Sequence, residues 1–138
     1  MISFFVPGVP VGKGRPRITT RGGKPRAYTP AKTVNYESEV ATVAHSAMDG
    51  SDPFAGPVAL TITATFPIPP SWKKAKQEEA RAGRLWHTSK PDGDNCLKAL
   101  GDALNGIVWN DDSQVSRCAF AKVYGDRPGV HVFVEALA

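Results

Sequence analysis

The first 36 residues of this 138-residue sequence contain no acid. They carry seven basic residues instead, Lys13, Arg15, Arg17, Arg21, Lys24, Arg26 and Lys32, so within a net charge of +4 the rest of the chain is acidic. Long apolar runs are missing too. No window approaches the roughly 18 residues of a membrane span, and in "MISFFVPGVPVGKGRPR" the charges follow the apolar residues, the reverse of a secretory signal. No membrane association and a cytoplasmic address are therefore expected. Cysteine is scarce: Cys96 and Cys118 stand alone, with no CxxC spacing and no histidine cluster beside them. That excludes a zinc site or a disulfide framework and suggests reduced, buried thiols. "GVPVGKG" imitates a phosphate-binding loop without being one. Only three residues separate Gly8 from Gly12 where four are needed, Gly14 stands where Ser or Thr is required, and Pro10 removes an amide. No nucleotide cofactor is expected. Repeats, low-complexity tracts and linkers are also absent, and the length suits one domain, residues 1–138.

Hydrophobic periodicity supplies the elements. "ISFFV" at 2–6 reads as a strand, and the Gly- and Pro-broken segment after it as a loop or arm. From Thr29–Pro30 to Gly50, apolar Val34, Val40, Val43, Ala44 and Ala47 predict a helix with one buried stripe. "PVALTITATF" at 57–66 alternates strictly and is the clearest strand. "SWKKAKQEEARAGR" predicts a short charged helix, and "SRCAFAKVYG" with "GVHVFVEAL" two strands joined as a hairpin by "DRP". These elements imply a mixed α/β (α+β) domain in two layers, one sheet with helices packed on it.

Chemistry concentrates in "SKPDGDNCLKALGDALNGIVWNDDSQV", residues 89–115. Five aspartates and a single lysine fall between Asp92 and Asp112. Gly93 favours a turn, and Asp94 is placed as N-cap of a helix running to about Leu104. At about 100° per residue, Leu97, Leu100 and Leu104 share one side, and Asp94, Lys98 and Asp102 the other. "IVW" reads as a short buried strand delivering "NDD" at its carboxyl end, the edge where functional groups gather in open α/β sheets. Two carboxylate sources then converge, Asp92 with Asp94 and Asp111 with Asp112. Oxygen ligands without His or Cys suit Mg²⁺ or Mn²⁺, and phosphodiester hydrolysis is the reaction these parts fit. Lys98, one turn after Asp94, either serves that site or pairs with Asp94 and Asp102 as an ordinary surface ion pair.

The same stretch resembles the signature of the RusA family of Holliday junction resolvases, in Asp92, Asp94, Asn95, Lys98, Asp102-Ala103-Leu104, Trp109, Asp111-Asp112 and Gln114-Val115. The resemblance implies a small homodimeric, Mg²⁺- or Mn²⁺-dependent endodeoxyribonuclease that nicks four-way DNA junctions symmetrically in recombination and repair. It assigns cleavage and metal binding to Asp92, Asp94 and Asp112, a cleavage role to Lys98, and a helper role to Asp111.

The basic arm suits phosphate contacts along a backbone, through Lys13, Arg15, Arg17, Arg21, Lys24 and Arg26. Two other functions fit the same residues: a broader structure-specific nuclease acting on flaps or forks, and a binding module whose acids only stabilise turns.

Overall fold

The computed structural model describes residues 1–138. In chain order the strands are β1 (Ile2–Pro7), β2 (Arg17–Thr19), β3 (Arg26–Tyr28), β4 (Val58–Pro67), β5 (Val115–Gly125) and β6 (Gly129–Ala136). The helices are α1 (Ala31–Met48), α2 (Lys74–Arg81) and α3 (Gly93–Leu104), with a 3₁₀ turn at Asp112–Gln114. Alternation in β4 puts Val58, Leu60, Ile62, Ala64 and Phe66 on one face, all buried. That strand lies inside a four-stranded sheet of order β1-β6-β4-β5. β6 runs antiparallel to β1 and β4, and β5 runs parallel to β4, so the sheet is mixed. α1 and α3 pack against one another over its buried face. The opposite face carries Thr61 and His131 in the open. The result is a two-layer α+β domain. No helix is long and apolar enough to cross a membrane.

Several local expectations are corrected. β5 and β6 are not hairpin partners, because β4 lies between them: Pro67 pairs with Gly125, and Thr65 with Gly129. The three-residue connection steps over the end of β4, two strand spacings or about 10 Å, well within its extended reach. The arm is no plain loop, since β2 and β3 form an antiparallel ribbon within it. In α1 the buried stripe is Thr33, Tyr36, Val40, Ala44 and Met48, while Val34 is half exposed. Thr33 is buried because its hydroxyl accepts the Gly14 amide at 2.9 Å. Cys96 is buried as expected, but Cys118 is exposed, because β5 is an edge strand.

"IVW" is a turn rather than a strand. The amides of Ile107 and Val108 both donate to the Leu104 carbonyl at 3.1 Å, and the Gly106 amide donates to the Trp109 carbonyl at 2.7 Å. Gly106 has φ +78°, a left-handed conformation that glycine adopts without a Cβ clash. Val108 and Trp109 have no exposed surface, so these residues are apolar because they plug the core beneath α3. His87 lies flat on Phe66 with ring centroids 3.7 Å apart. Burial, then the charge of Lys122, holds its imidazole below the usual range, which is a packing role.

Candidate functional site

The α3 N-terminus is built around Asp92, whose carboxylate accepts the Asn95 amide at 2.9 Å. Asp92, not Asp94, is therefore the N-cap, and the helix starts at Gly93 with Asp94 in its first turn. Both acids sit where the helix dipole favours negative charge. A side chain on Gly93 would meet the Phe120 ring at 3.3 Å, so the glycine lets this turn lie close against β5. Burial of Cys96, Ala99, Leu100, Ala103 and Leu104 fixes the rotation of α3 and leaves Asp94, Lys98 and Asp102 facing outward, as their spacing predicts. Lys98 forms no ion pair, because Asp102 is engaged by Lys13 Nζ at 3.0 Å and Asp94 lies beyond salt-bridge distance. The surface-pair role offered for Lys98 is not realised.

Lys13 belongs to the arm's root. Its ammonium is 2.6 Å from Glu37 as well, its side chain is only 18% exposed, and the hydrogen bond to Glu37 holds its pKa above the ordinary lysine value. Its amide donates to the Asn95 carbonyl at 2.9 Å. One residue earlier, a Cβ on Gly12 would lie 2.6 Å from the Pro91 Cβ, so only glycine passes there. The root is thus fastened directly to the turn that bears Asp92. Lys13, expected among the phosphate contacts, lines the arm's cleft with its ammonium paired to Glu37 and Asp102. Arg15, Arg17, Arg21, Lys24 and Arg26 are all exposed and have no acidic partner.

Between arm and turn opens a cleft of about 930 Å³. Arg15, Arg17, Lys32 and Lys90 contribute cationic lining, and Asp92 and Asn95 line it from the α3 side. The basic arm and the first acid of the 92–112 stretch thereby line one cleft.

The "NDD" turn is organised by Gln114. Its Oε1 accepts the amides of Asn110 at 2.8 Å and Asp111 at 2.9 Å, while Nε2 donates to the carbonyls of Phe54 at 2.7 Å and Gly56 at 2.9 Å. Asp111 in return accepts the Ser113 amide at 3.2 Å, completing a capping box. Hydrogen bonds from Ser113 hold the Asp111 carboxyl below its ordinary range. Asp111 is occupied with the turn, and Asp112 is exposed beside it. The sequence marked Gln114 only as part of a resemblance. The signal that points to its role is an Asp followed three residues later by Gln. Gln114→Ala is expected to cost about 1–2 kcal/mol, since four hydrogen bonds are exchanged partly for water; a lowered urea midpoint at unchanged helix content checks this.

Asp92, Asp94 and Asp112 do not converge within one chain. No group of three or more His, Cys, Asp or Glu side chains lies close enough to hold a metal. The α3 N-terminus packs at Phe120, midway along β5, whereas Asp112 precedes Val115, where that strand begins. Five strand residues separate those points, on the order of 16 Å. In donor chemistry the acids fit a hard cation: Asp94 is free of hydrogen bonds, and the Asp92 cap uses one oxygen. A single chain presents two of them together, short of the expected three.

A Bacillus subtilis (strain 168) protein, YqaN, described as uncharacterized, is 39% identical to this chain over 139 residues, covering 99% of this chain and 97% of that protein. The family model described as endodeoxyribonuclease RusA matches residues 7–135. Set beside the cationic cleft and the α3 acids, a match over nearly the whole chain shows that this protein belongs to the RusA endodeoxyribonuclease family.

Proposed function

We propose that the protein is a Mg²⁺- or Mn²⁺-dependent resolvase of four-way DNA junctions, acting as a homodimer in recombination and repair. The observation that carries this reading is the cleft of about 930 Å³ that the arm's Arg15 and Arg17 line together with Asp92. Arg15, Arg17, Arg21, Lys24 and Arg26 hold the polyanion, and Lys13 keeps their segment against the α3 turn. Asp92, Asp94 and Asp112 hold the metal, which when bound supplies an acidified water and charge to offset the anion in attack on phosphorus. Lys98, unpaired and one turn from Asp94, places its ammonium against a phosphate oxygen and neutralises charge there.

Two copies supply the third carboxylate. The edge of β5 is free from Ser116 to Ala121, beyond which the Trp86 and His87 backbone covers it at Lys122 and Val123. Antiparallel pairing of two such edges about a two-fold axis exchanges their ends. Asp112 of one copy then approaches the Asp92–Asp94 turn of the other, and the two-fold supplies two sites for two symmetric cuts.

The test is cleavage of a labelled four-way junction beside a matched duplex, a flap and a fork, with and without Mg²⁺. Paired nicks in the junction that require metal support the proposal. Equal cutting of flaps and forks makes the enzyme a broader structure-specific nuclease, and binding without nicks makes it a binding module. Arg15 and Arg17 give a separate expectation. Replacing both by Ala is expected to weaken binding and reduce the magnitude of the salt slope by about 1.8, at about 0.9 for each phosphate that is no longer neutralised. Equilibrium titration across a range of NaCl concentrations measures this, and an unchanged slope removes these residues from the interface.

A further inference from the structure

The ribbon of β2 and β3 contributes nothing to the core: every residue from Arg15 to Tyr28 is exposed except half-buried Thr19. Its form is nevertheless specified. Gly22 and Gly23 have φ of +86° and +84°, the Gly23 amide donates to the Thr20 carbonyl at 2.9 Å, and the Arg21 amide to the Thr19 hydroxyl at 3.2 Å. A projecting element with an ordered tip, a fastened root and only positive charge is shaped for something outside the chain.

Its register sorts the side chains. Arg17 lies opposite Tyr28, Ile18 opposite Ala27, and Thr19 opposite Arg26. Directly opposed residues share a face and successive residues alternate. One face therefore carries Arg17, Thr19, Arg26 and Tyr28, and the other carries only Ile18 and Ala27. Arg17 also lines the cleft that holds Asp92, so the polar face is the one turned towards the acids and towards any DNA held there.

We infer that this ribbon seats in the major groove of the duplex arm beside the phosphate to be cut, with Thr19 and Arg26 facing the base edges, Arg17 at the root against the bordering phosphates, and Ile18 facing away. Width favours the major groove, because at about 12 Å it admits a two-stranded ribbon without deforming the duplex, whereas a minor groove of about 6 Å would first have to be opened. Charge decides the partner, since four cations, Arg17, Arg21, Lys24 and Arg26, meet no acid of their own chain. The inference rests on the DNA-cleaving function above only in taking duplex DNA as the polyanion.

Dimethyl sulfate methylation of guanine N7, which lies in the major groove, tests it with the whole protein in EDTA, on a four-way junction and on linear duplex at low salt. Wild-type protein is expected to protect N7 within one arm, Arg26→Ala to lose that protection, and Ile18→Ser to keep it. Absence of N7 protection by wild-type protein bound to either DNA overturns the inference. So does the reverse pattern, with protection lost in Ile18→Ser and kept in Arg26→Ala. Failure of the resolvase proposal shows separately, as wild-type protein that leaves junctions uncut with Mg²⁺ whatever the methylation pattern.

Discussion

Two inactive variants, Asp94→Asn and Asp112→Asn, are expected to regain cleavage when mixed and allowed to exchange subunits. If each site takes Asp92 and Asp94 from one copy and Asp112 from the other, a heterodimer contains one site with all three carboxylates and one lacking two. Random exchange makes half the dimers mixed, so about a quarter of the wild-type sites return. Each mixed dimer has one working site, and the product is a singly nicked junction instead of a resolved one. Sites contained within single chains behave differently, because every chain in the mixture is then defective and no activity returns. A mixture that stays inactive, with exchange verified by native mass spectrometry, rejects the shared site. Metal-dependent cleavage by the wild type remains a separate question. The separation of Asp112 from the α3 turn by about five residues of β5, on the order of 16 Å, is what gives this experiment its leverage.

That separation also explains how the sequence misleads. Asp92 and Asp112 are twenty positions apart, and α3 accounts for most of the interval, carrying the chain about 18 Å from its first turn at 1.5 Å per residue. Read as a strand, Ile107–Trp109 would deliver the second pair of acids to the first. Those residues instead fold back on Leu104 as a buried plug, so Asp112 stays near the far end of the helix. An apolar triplet has too little length for its period to separate strand from core turn. β4 and α3 were legible because nine and twelve residues of consistent alternation or helical spacing leave no competing assignment. The β5–β6 pairing was illegible for a topological reason, since a three-residue connection looks the same whether it closes a hairpin or steps over a neighbouring strand. The ribbon was hidden because Arg, Thr and Gly give no apolar alternation. Within the site, charge segregation was legible, but the contacts that join arm to turn depend on Gly12 passing Pro91 and on Lys13 reaching Glu37 and Asp102. No local pattern announces them.

Asn substitutions at the α3 turn isolate charge from structure. Asp94→Asn is expected to lower cleavage at least about 100-fold, since altering even the outer partners of a metal site commonly costs 10–100-fold, and to leave junction binding unchanged or tighter. Asp94 makes no hydrogen bond that the fold depends on, and removing a negative charge does not weaken attraction to phosphate. Asp92→Asn is the sharper case because Asp92 caps α3. Asn caps a helix about as well as Asp, whereas Ala costs about 1 kcal/mol. The Asn variant therefore keeps the helix start, and loss of its cleavage reports the missing charge alone. Lys98→Gln completes the set: with no ion pair to break, its stability is expected within about 0.5 kcal/mol of wild type, while cleavage falls and binding persists. Thermal denaturation, junction titration and single-turnover cleavage on the same preparations separate these effects. Wild-type cleavage rates in Asp92→Asn or Asp94→Asn remove that residue from the metal site, and a fall in Tm matching the fall in rate returns Asp92 to a capping role alone.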